Sequence, residues 1–276
     1  MVEVREWSRA DTVPFLRVPS PADDKYSRGV VALRTGSDAY PGAAVLGVEA
    51  AWRAGAGYVR YVGEGKAADA VIARRPETVT GRDTGRTRIG AWVIGSGTDP
   101  GHRSHQEHEA LREILAGVVP VVVDAGALDL AVAANAPALV TPHAGEFARL
   151  RELMKLRADA DRAAEVAQTA AALGATVLLK GAKTLIASAD AAIITVEAGT
   201  GWLATAGTGD VLAGILGALI AANPDAPLAE TAAAGAWLHG HAGRLAAGAT
   251  DGAHGHPIVA MDVAEALPSA IADLLS

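Results

Sequence analysis

The chain has 276 residues, of which 24 are Lys or Arg and 31 are Asp or Glu, so its formal net charge is −7. This charge disfavours binding to nucleic acid or to anionic membranes, although a local basic pocket for a small phosphorylated ligand is compatible with it. The sequence contains no Cys, which excludes disulfides, thiolate metal sites and a cysteine nucleophile.

Short β-branched runs alternate with Ala-rich stretches from about residue 25 onward, which is typical of a parallel sheet covered by helices on both faces. The predicted strands cover residues 29–34, 58–62, 91–94, 119–123, 138–140 and 176–179. The predicted helices cover about 42–54, 104–115, 145–153, 159–173, 209–221, 228–247 and 262–274. Runs at 184–187 and 192–196 predict an antiparallel hairpin at one edge of the sheet. We therefore expect one domain over residues 1–276, an α/β/α sandwich with a mostly parallel sheet.

The sequence predicts neither a secretory leader nor a membrane anchor. Its start, MVEVREW, lacks the basic and apolar segments of a leader. The longest charge-free apolar stretch, residues 211–222, is shorter than the ~20 residues that a membrane-spanning helix needs. We expect a cytoplasmic protein with no membrane or nucleic-acid partner.

The strongest local signal is a glycine loop, Gly207-Thr208-Gly209-Asp210, that runs directly into an apolar helix. Glycines let successive backbone N–H groups face one anion, and a helix N-terminus adds partial positive charge. Asp210 would repel a phosphate, so we expect it to take a proton from a substrate hydroxyl while the backbone of Gly207, Thr208 and Gly209 holds the phosphate. A carboxylate favoured by the helix dipole explains Asp210 equally well from spacing alone.

A second signal, Lys180-Gly181-Ala182-Lys183-Thr184, follows a predicted buried strand. Two cations and a glycine at the carboxyl end of a strand suit a nucleotide phosphate. An ordinary exposed turn is the better explanation when the segment is taken alone. The nearby glycine loop strengthens the case for nucleotide binding.

Three further segments bring polar or small residues to predicted strand ends. His143 and Glu146 lie in TPHAGE, where a functional His143 competes with a simple Thr/Pro turn and a favourable first-turn carboxylate. Gly97 permits close approach of a ligand, and Asp124 ends another strand in a carboxylate. Ala43 lies in a small-residue loop that suits either a ligand or tight helix–sheet packing.

Taken in order, eight segments resemble the ADP/ATP-dependent NAD(P)H-hydrate dehydratases, which belong to the ribokinase-like superfamily. The segments are KYSRG (25–29), GSDAYPGAA (36–44), AWRAGAGYV (51–59), IGSGTD (94–99), VVVDAGAL (121–128), LVTPHAGEFARL (139–150), LLKGAKT (178–184) and TAGTGDVLAGIL (205–216). The order of TPHxGE, KGxxT and GTGD is far more specific than any one motif.

The resemblance implies a ribokinase-like fold and a repair enzyme that removes water from the S-epimer of hydrated NADH or NADPH (NADHX or NADPHX). Family members use ADP or ATP with Mg²⁺ to phosphorylate the added hydroxyl, after which phosphate leaves and the dihydronicotinamide is restored. Phosphate is a far better leaving group than hydroxide, so a kinase-like site can perform a dehydration. Asp210 would be the base, with the amides of Thr208 and Gly209 at the transferring phosphoryl group.

The resemblance also assigns contacts to individual residues. Those assigned to the NAD(P)H-hydrate are Ala43, Gly97, His143 and Asp210. Those assigned to the adenine nucleotide are Lys180, Gly181, Ala182, Lys183, Thr184 and Gly209.

The sequence departs from the family at two places. Family members often show GPGLG where this chain has GSGTD (95–99), and DADAL where it has DAGAL (124–128). The first change puts an extra carboxylate, Asp99, near the hydrate site. The second leaves Gly126 where a carboxylate would help to hold metal, so we name no metal ligand.

Two other functions stay open on the sequence. One is a small-molecule kinase acting on a vitamin-precursor alcohol, since GTGD at a helix start suits phosphorylation of any hydroxyl. The other is a nucleotide-binding protein without turnover, suggested by the altered GSGTD and DAGAL segments. The preferences between ADP and ATP, and between NADHX and NADPHX, are also open.

The family resemblance carries two expectations about partners. Relatives commonly form tetramers, and the small-residue helix at 229–247 suits packing between subunits. The lead-in that ends near residue 24 is too short for the epimerase domain that many relatives carry, so a separate NAD(P)H-hydrate epimerase is expected.

Overall fold

The computed structural model describes residues 4–189, 192–250 and 252–276, and within them one sheet of ten strands runs through the molecule. The strands are β1 (Val4–Glu6), β2 (Val30–Arg34), β3 (Tyr58–Val62), β4 (Val79–Gly81), β5 (Ala91–Ile94), β6 (Val121–Val123), β7 (Ala138–Val140), β8 (Thr176–Leu179), β9 (Thr184–Ala187) and β10 (Ile193–Val196). Their order is β1-β10-β9-β8-β7-β6-β5-β2-β3-β4. Strand β9 is antiparallel to both of its neighbours, and the other pairs are parallel.

Helices cover both faces of this sheet. They are α1 (Arg9–Thr12), α2 (Pro41–Arg53), α3 (Gly65–Arg74), α4 (His105–Leu115), α5 (Ala144–Leu153), α6 (Arg162–Leu173), α7 (Thr208–Ala222), α8 (Leu228–Ala246) and α9 (Ala260–Leu275). Helices α2, α7, α8 and α9 pack on one another over one face, and α4, α5 and α6 lie in the other layer. The expected three-layer sandwich with a mostly parallel sheet is confirmed.

The hydrophobic core has two halves, one on each face of the sheet, and strand β6 contributes to both. Val122 belongs to one hydrophobic cluster, whereas Val121 and Val123 belong to the other, and all three are fully buried. Successive side chains of a strand point to opposite faces, so a strand buried on both faces must be apolar throughout. The resulting scaffold holds the carboxyl ends of neighbouring strands in fixed register.

Close packing of α2 against α7 fixes the start of α7. A Cβ built on Gly214 of α7 would overlap the carbonyl oxygen of Gly47 in α2 and lie 2.9 Å from the Cβ of Ala50. Only glycine lets the two backbones approach this closely. This contact lies one turn beyond Asp210, so it determines where the first turn of α7 stands relative to the sheet.

Most predicted elements are present, with boundaries that differ by a few residues. The helix predicted from residue 159 begins at Arg162, because the Asp161 side chain accepts a hydrogen bond from the Ala163 N–H and caps it. The predicted hairpin strands are β9 and β10, and residues 190 and 191 of the connecting turn lie outside the described residues.

Four elements differ from the sequence predictions. The segment taken as a lead-in contains β1 and the short helix α1, and β1 pairs in parallel with β10, so the hairpin does not form the edge. Strand β4 and helix α3 were not predicted either. Strand β4 has three residues, none of them buried, and therefore shows no apolar run.

Helix α8 was expected to suit contacts between subunits, but its small residues pack inside the chain. Ala232, Ala233, Ala234 and Leu238 are fully buried against the same layer as α7 and α9. Their composition therefore gives no support to a subunit interface. Among the described helices, none is both long and apolar enough to cross a bilayer. The single domain over residues 1–276 stays a prediction.

Candidate active site

Four neighbouring parallel strands, β5 to β8, end side by side at one edge of the sheet. Each is followed within two positions by a polar side chain: Ser96 after β5, Asp124 after β6, Thr141 after β7 and Lys180 after β8. Ligands of open α/β sheets bind outside the carboxyl ends of the strands. A ligand-binding site is therefore expected at this edge of the sheet.

Asp124 lies at the centre of this edge and is almost completely buried. Its Oδ2 accepts a hydrogen bond from Ser96 Oγ at 2.9 Å. Its Oδ1 accepts one from Thr141 Oγ1 and one from Lys180 Nζ, both at 2.8 Å. These hydrogen bonds satisfy both oxygens of the buried carboxylate, so Asp124 fixes the position of the Lys180 ammonium.

In the sequence, Asp124 stands out only as a carboxylate at the end of a predicted strand. Its partners come from three other strand ends, and the partner nearest to it in sequence, Thr141, is 17 positions away. A carboxylate placed directly after an apolar strand was the only local sign of its role.

Asp210 lies in the first turn of α7. Gly207, which precedes the helix, has φ +90°, a left-handed conformation that favours glycine. The Thr208 hydroxyl donates to the carbonyl groups of Leu203 and Thr205, both at 3.0 Å, and so secures the turn. The loop geometry that the glycine pattern predicted is therefore present.

Burial raises the pKa of the Asp210 carboxyl to about 6; the negative charge of Asp124 adds to the rise, and the Lys180 ammonium opposes it. A carboxyl with a pKa near 6 is mostly ionised at neutral pH, yet far more basic than an exposed aspartate. It is thus suited to remove a proton from an alcohol during the reaction.

Lys180 stands directly beside the start of α7. A Cβ built on Gly209 would lie 3.4 Å from Lys180 Nζ, and the same ammonium is 3.9 Å from Glu146 Oε2. No side chain in the described parts of the sequence caps the N-terminus of α7, so its first N–H groups remain available to an anion. The two motifs that the sequence analysis treated separately, GTGD and KGAKT, therefore meet at one place.

The rest of KGAKT forms an exposed turn. Gly181, Ala182 and Lys183 are exposed, and the Thr184 hydroxyl donates to the Gly181 carbonyl at 3.2 Å. Lys183 Nζ pairs with Glu197 Oε1 at 2.7 Å instead of facing Asp210. Only Lys180 of the five reaches the buried carboxylates, and nucleotide contacts by the other four stay predictions.

His143 precedes α5 and caps it. Its Nδ1 accepts hydrogen bonds from the N–H groups of Gly145 at 3.0 Å and Glu146 at 3.4 Å, and Glu146 Oε2 accepts from the His143 N–H at 2.8 Å. With Nδ1 acting as acceptor, the neutral ring carries its proton on Nε2. The turn interpretation is therefore correct for the backbone. The ring is half-exposed, with Nε2 3.4 Å from Glu146 Oε1, so a ligand can reach it from solvent.

Gly97 and Ala43 touch each other. A Cβ built on Gly97, which has φ +68°, would overlap the Cβ of Ala43 and lie 3.1 Å from the Tyr40 carbonyl oxygen. The tight packing that the sequence offered as an alternative for Ala43 is present here. Substrate contact by Gly97 and Ala43 stays a prediction.

The two segments that depart from the family pattern face one another. A Cβ built on Gly126 would overlap both the carbonyl and the hydroxyl oxygen of Thr98. The chain therefore has no room for a side chain at 126 in this arrangement. Asp99 is exposed at the rim, where it accepts from the Gly101 N–H at 2.8 Å and lies 2.7 Å from His102 Nδ1.

Two cavities open at this edge and share Tyr40, Thr98 and Asp99. The first, here called the α5 cavity, has a volume of about 600 Å³ and extends from Gly97 and Glu146 to Arg149 and Leu153. The second, here called the β3 cavity, has a volume of about 790 Å³ and is lined by residues that include Arg34, Asp38, Tyr61, Glu64, Arg82 and Glu107.

The carboxylates of the candidate site indicate how Mg²⁺ would bind. Within the described ranges, no three His, Asp or Glu side chains cluster as a protein-only metal cage requires. Asp124 is already committed to Ser96, Thr141 and Lys180. Mg²⁺ commonly uses one or two carboxylates and takes its remaining ligands from water and phosphates. The carboxylates at this edge of the sheet therefore fit an ion that is bound mainly by the phosphates of a nucleotide.

Comparison with known proteins gives a consistent result. The family model for NAD(P)H-hydrate dehydratase matches residues 31–261. An ADP-dependent (S)-NAD(P)H-hydrate dehydratase of Neisseria meningitidis is 40% identical over 237 residues, which cover 78% of this chain and 76% of that protein. A bifunctional NAD(P)H-hydrate repair enzyme of Mycobacterium tuberculosis is 42% identical over 241 residues, which cover 84% of this chain and 48% of that protein. The chain spans about half the length of these bifunctional relatives.

Solved structures agree with the fold. The ADP/ATP-dependent NAD(P)H-hydrate dehydratase from Bacillus subtilis, co-crystallized with ATP/Mg²⁺, superposes with a TM-score of 0.82 at 28% identity, covering 98% of this chain and 99% of that one. A ribokinase-like superfamily protein from Enterococcus faecalis gives a TM-score of 0.83 at 24% identity, covering 98% and 96%. The second likeness concerns the fold alone, which is the ribokinase-like fold expected from the motifs.

Proposed function

This chain belongs to the NAD(P)H-hydrate dehydratase family, and we propose that it dehydrates the S-epimer of hydrated NADH or NADPH with ADP or ATP as phosphoryl donor. The observation that carries the proposal is the position of Asp210, a largely buried carboxylate of raised pKa in the first turn of α7, beside Lys180. The name of the Neisseria relative, ADP-dependent (S)-NAD(P)H-hydrate dehydratase, supports the same activity.

The geometry suggests a division of roles. Asp210 takes the proton of the added hydroxyl as that oxygen forms a bond to the terminal phosphorus of the nucleotide, and the bridging P–O bond of the nucleotide breaks. Lys180 and the N–H groups of Thr208 and Gly209 stabilise the charge on the transferring phosphoryl oxygens. Phosphate then leaves with the electron pair of the C–O bond, and the adjacent ring carbon loses a proton to restore the double bond.

Mg²⁺ would enter with the nucleotide, as the ATP/Mg²⁺ co-crystals of the Bacillus protein suggest, and would neutralise charge on its phosphates. Lys180 pairs with two carboxylates, Asp124 and Glu146. Glu146 would hold the ion, because its Oε2 accepts one hydrogen bond, from the His143 N–H, whereas Asp124 accepts three.

The test is recovery of the dihydronicotinamide absorbance when the purified protein is mixed with hydrated NADH, Mg²⁺ and either ADP or ATP. Asp210→Asn is expected to lower kcat by at least about a hundredfold, since general-base catalysis contributes about 10²–10⁴, while ADP affinity measured by calorimetry stays near that of wild type. An Asp210→Asn enzyme with wild-type kcat would rule out the proposed base.

The two other functions give different outcomes in the same assay. A stable phosphorylated product without recovery of absorbance would favour a small-molecule kinase. Nucleotide binding with no phosphate release on any hydrate would favour a protein without turnover. A cytoplasmic location, a homotetramer and a separate epimerase partner stay predictions.

A further inference from the structure

The α5 cavity is built by one face of α5. Glu146, Arg149, Leu150 and Leu153 line it, and their i, i+3, i+4, i+7 spacing places them on one side of the helix. Its volume, about 600 Å³, lies within the ~300–1,000 Å³ typical of small-molecule sites. Glu146 and Gly97 at one end of the cavity belong to the candidate active site, so a substrate that reacts there would extend along this helix face.

The charges of the two cavities differ in one respect. The four cationic or titratable nitrogen side chains that line the β3 cavity are all paired: Arg34 with Glu107, Arg82 with Glu64, Arg103 with Asp129 and His102 with Asp99. Arg149 lines the α5 cavity, is exposed, and forms no ion pair within the part of the chain that the structure describes. Among the described residues, the β3 cavity therefore offers no unpaired cation to an anionic ligand, whereas the α5 cavity offers Arg149.

Arg149 also points back toward the active site. A Cβ built on Gly145 would lie 3.7 Å from Arg149 Nη1 and 3.1 Å from His143 Cε1. The guanidinium and the predicted substrate contact His143 therefore flank the same backbone position. The carboxylates of this cavity are engaged elsewhere, Asp129 with Arg103, Asp99 with His102, and Glu146 with the turn before α5.

We propose that the α5 cavity holds the part of a dinucleotide beyond its reacting ring, with Arg149 binding the diphosphate bridge. This inference rests on the proposed function for the identity of the dinucleotide. A guanidinium presents paired donors that match phosphate oxygens. The exposed side chains of Leu153 and Tyr40 supply apolar surface for the flanking nucleoside. Arg149 is thus a binding residue for the diphosphate and has no part in proton transfer.

The first measurement is calorimetric titration of NADH, the product, into wild type, Arg149→Met and Arg149→Lys at saturating ADP. Saturation keeps NADH out of the nucleotide site. Loss of one charge-assisted hydrogen-bonding group predicts that Arg149→Met weakens NADH binding by about tenfold to a hundredfold, with partial recovery in Arg149→Lys. The affinity for ADP is expected to be the same in all three proteins.

The matched control is Arg112→Met. Arg112 is an exposed arginine of α4 that lines neither cavity, so this variant should bind NADH as wild type does. Unchanged NADH affinity in Arg149→Met, an equal loss in Arg112→Met, or no NADH binding by wild type would each overturn the proposal. This experiment measures NADH binding and not turnover. Absence of dehydration in the turnover assay would therefore refute the proposed function but would not decide whether Arg149 binds the diphosphate.

Steady-state kinetics provide a second, independent test. Hydrated reduced nicotinamide mononucleotide lacks the diphosphate bridge and the adenosine, so wild type should show a much higher KM for it than for hydrated NADH. Arg149→Met should raise the KM for hydrated NADH and leave the KM for the mononucleotide unchanged. Equal effects on both substrates would show that Arg149 does not contact the diphosphate.

Discussion

At the scale of single residues, the site depends on two aspartates whose surroundings differ. Asp124 accepts hydrogen bonds from Ser96, Thr141 and Lys180, which hold its carboxylate in one position. Asp210 is mostly buried, close to the negative charge of Asp124, and its carboxyl has a raised pKa. In the proposed mechanism these two carboxylates therefore take different roles, Asp124 holding the Lys180 ammonium and Asp210 exchanging a proton.

The raised pKa of Asp210 predicts the pH dependence of the reaction. A general base works in its deprotonated form, so kcat/KM should fall about tenfold per pH unit below a pKa of about 6 and level off above it. The measurement is kcat/KM for the hydrate from pH 5 to 8 at saturating nucleotide. A midpoint near 4, the ordinary value for aspartate, would show that burial does not tune this group.

A control is needed because the terminal phosphate of a nucleotide also titrates near pH 6. Calorimetric ADP affinity of Asp210→Asn over the same pH range isolates that contribution. If the ADP affinity of this variant also changes with pH near 6, that change comes from the nucleotide phosphate and not from Asp210. It must then be subtracted from the pH profile of kcat/KM.

At the scale of elements, the N-terminus of α7 is held in place by its contact with α2. Gly214→Ala would put a methyl group against the Gly47 carbonyl and the Ala50 side chain. Overpacking of this kind costs about 1–3 kcal/mol, and a shift of α7 would move Asp210, one turn away. We expect a lower free energy of unfolding in urea together with a reduced kcat.

Gly42→Ala is the matched control for the stability measurement. Gly42 is also a helical glycine, in the first turn of α2, but a Cβ built there has no neighbour within 4 Å. Alanine should leave stability unchanged or raise it slightly, because alanine favours helix. If Gly214→Ala were as stable as Gly42→Ala, close helix contact would not be what positions α7.

At the scale of the whole molecule, one buried carboxylate links three helices of the same layer. Glu49 of α2 is fully buried and pairs with Arg53 at 2.5 Å, with Arg75 just beyond α3, and with Arg74 of α3 at 3.4 Å. Arg74 in turn reaches Glu265 of α9 at 2.6 Å. This network lies far along the chain from the GTGD and KGAKT motifs and has a structural role.

Glu49 predicts how the whole fold responds to acid. Burial works against ionisation, but hydrogen bonds from Arg75 and Arg53 outweigh it and lower the pKa of the Glu49 carboxyl to about 2. Because the pKa of Glu49 is lower in the folded protein than its unfolded-state value of about 4.5, the ionised carboxylate stabilises the fold above pH 4.5. This stabilisation is lost as the pH falls toward 2. Glu49→Gln should therefore cost roughly 2–3 kcal/mol at pH 7 and much less at pH 3.

The measurement is urea unfolding of wild type and Glu49→Gln at both pH values. Arg82 pairs with the exposed Glu64, so Glu64→Gln serves as the control and should change stability little at either pH. A cost for Glu49→Gln that did not depend on pH would point to lost packing instead of lost charge.

The sequence by itself determined the fold class and the family. Apolar runs alternating with helical stretches specify a covered parallel sheet, because burial on both faces requires apolar residues throughout a strand. The ordered motifs TPHAGE, KGAKT and GTGD specified the family, and the glycines at 207 and 209 with Asp210 located the start of α7. Apolar runs and motifs are formed by residues close together in the chain, so they can be recognised in the sequence itself.

Only the tertiary structure decided which residues share the site. Asp124 and Lys180 are 56 positions apart, and they meet because strand order places β6 and β8 on either side of β7. The edge position of β1 and the enclosure of Glu49 likewise depend on which distant side chains are nearby, as does the lack of an ion pair at Arg149 among the described residues. Burial and charge pairing are set by such neighbours, so the pKa of Asp210 and the availability of Arg149 in the α5 cavity follow from the folded structure and not from local sequence.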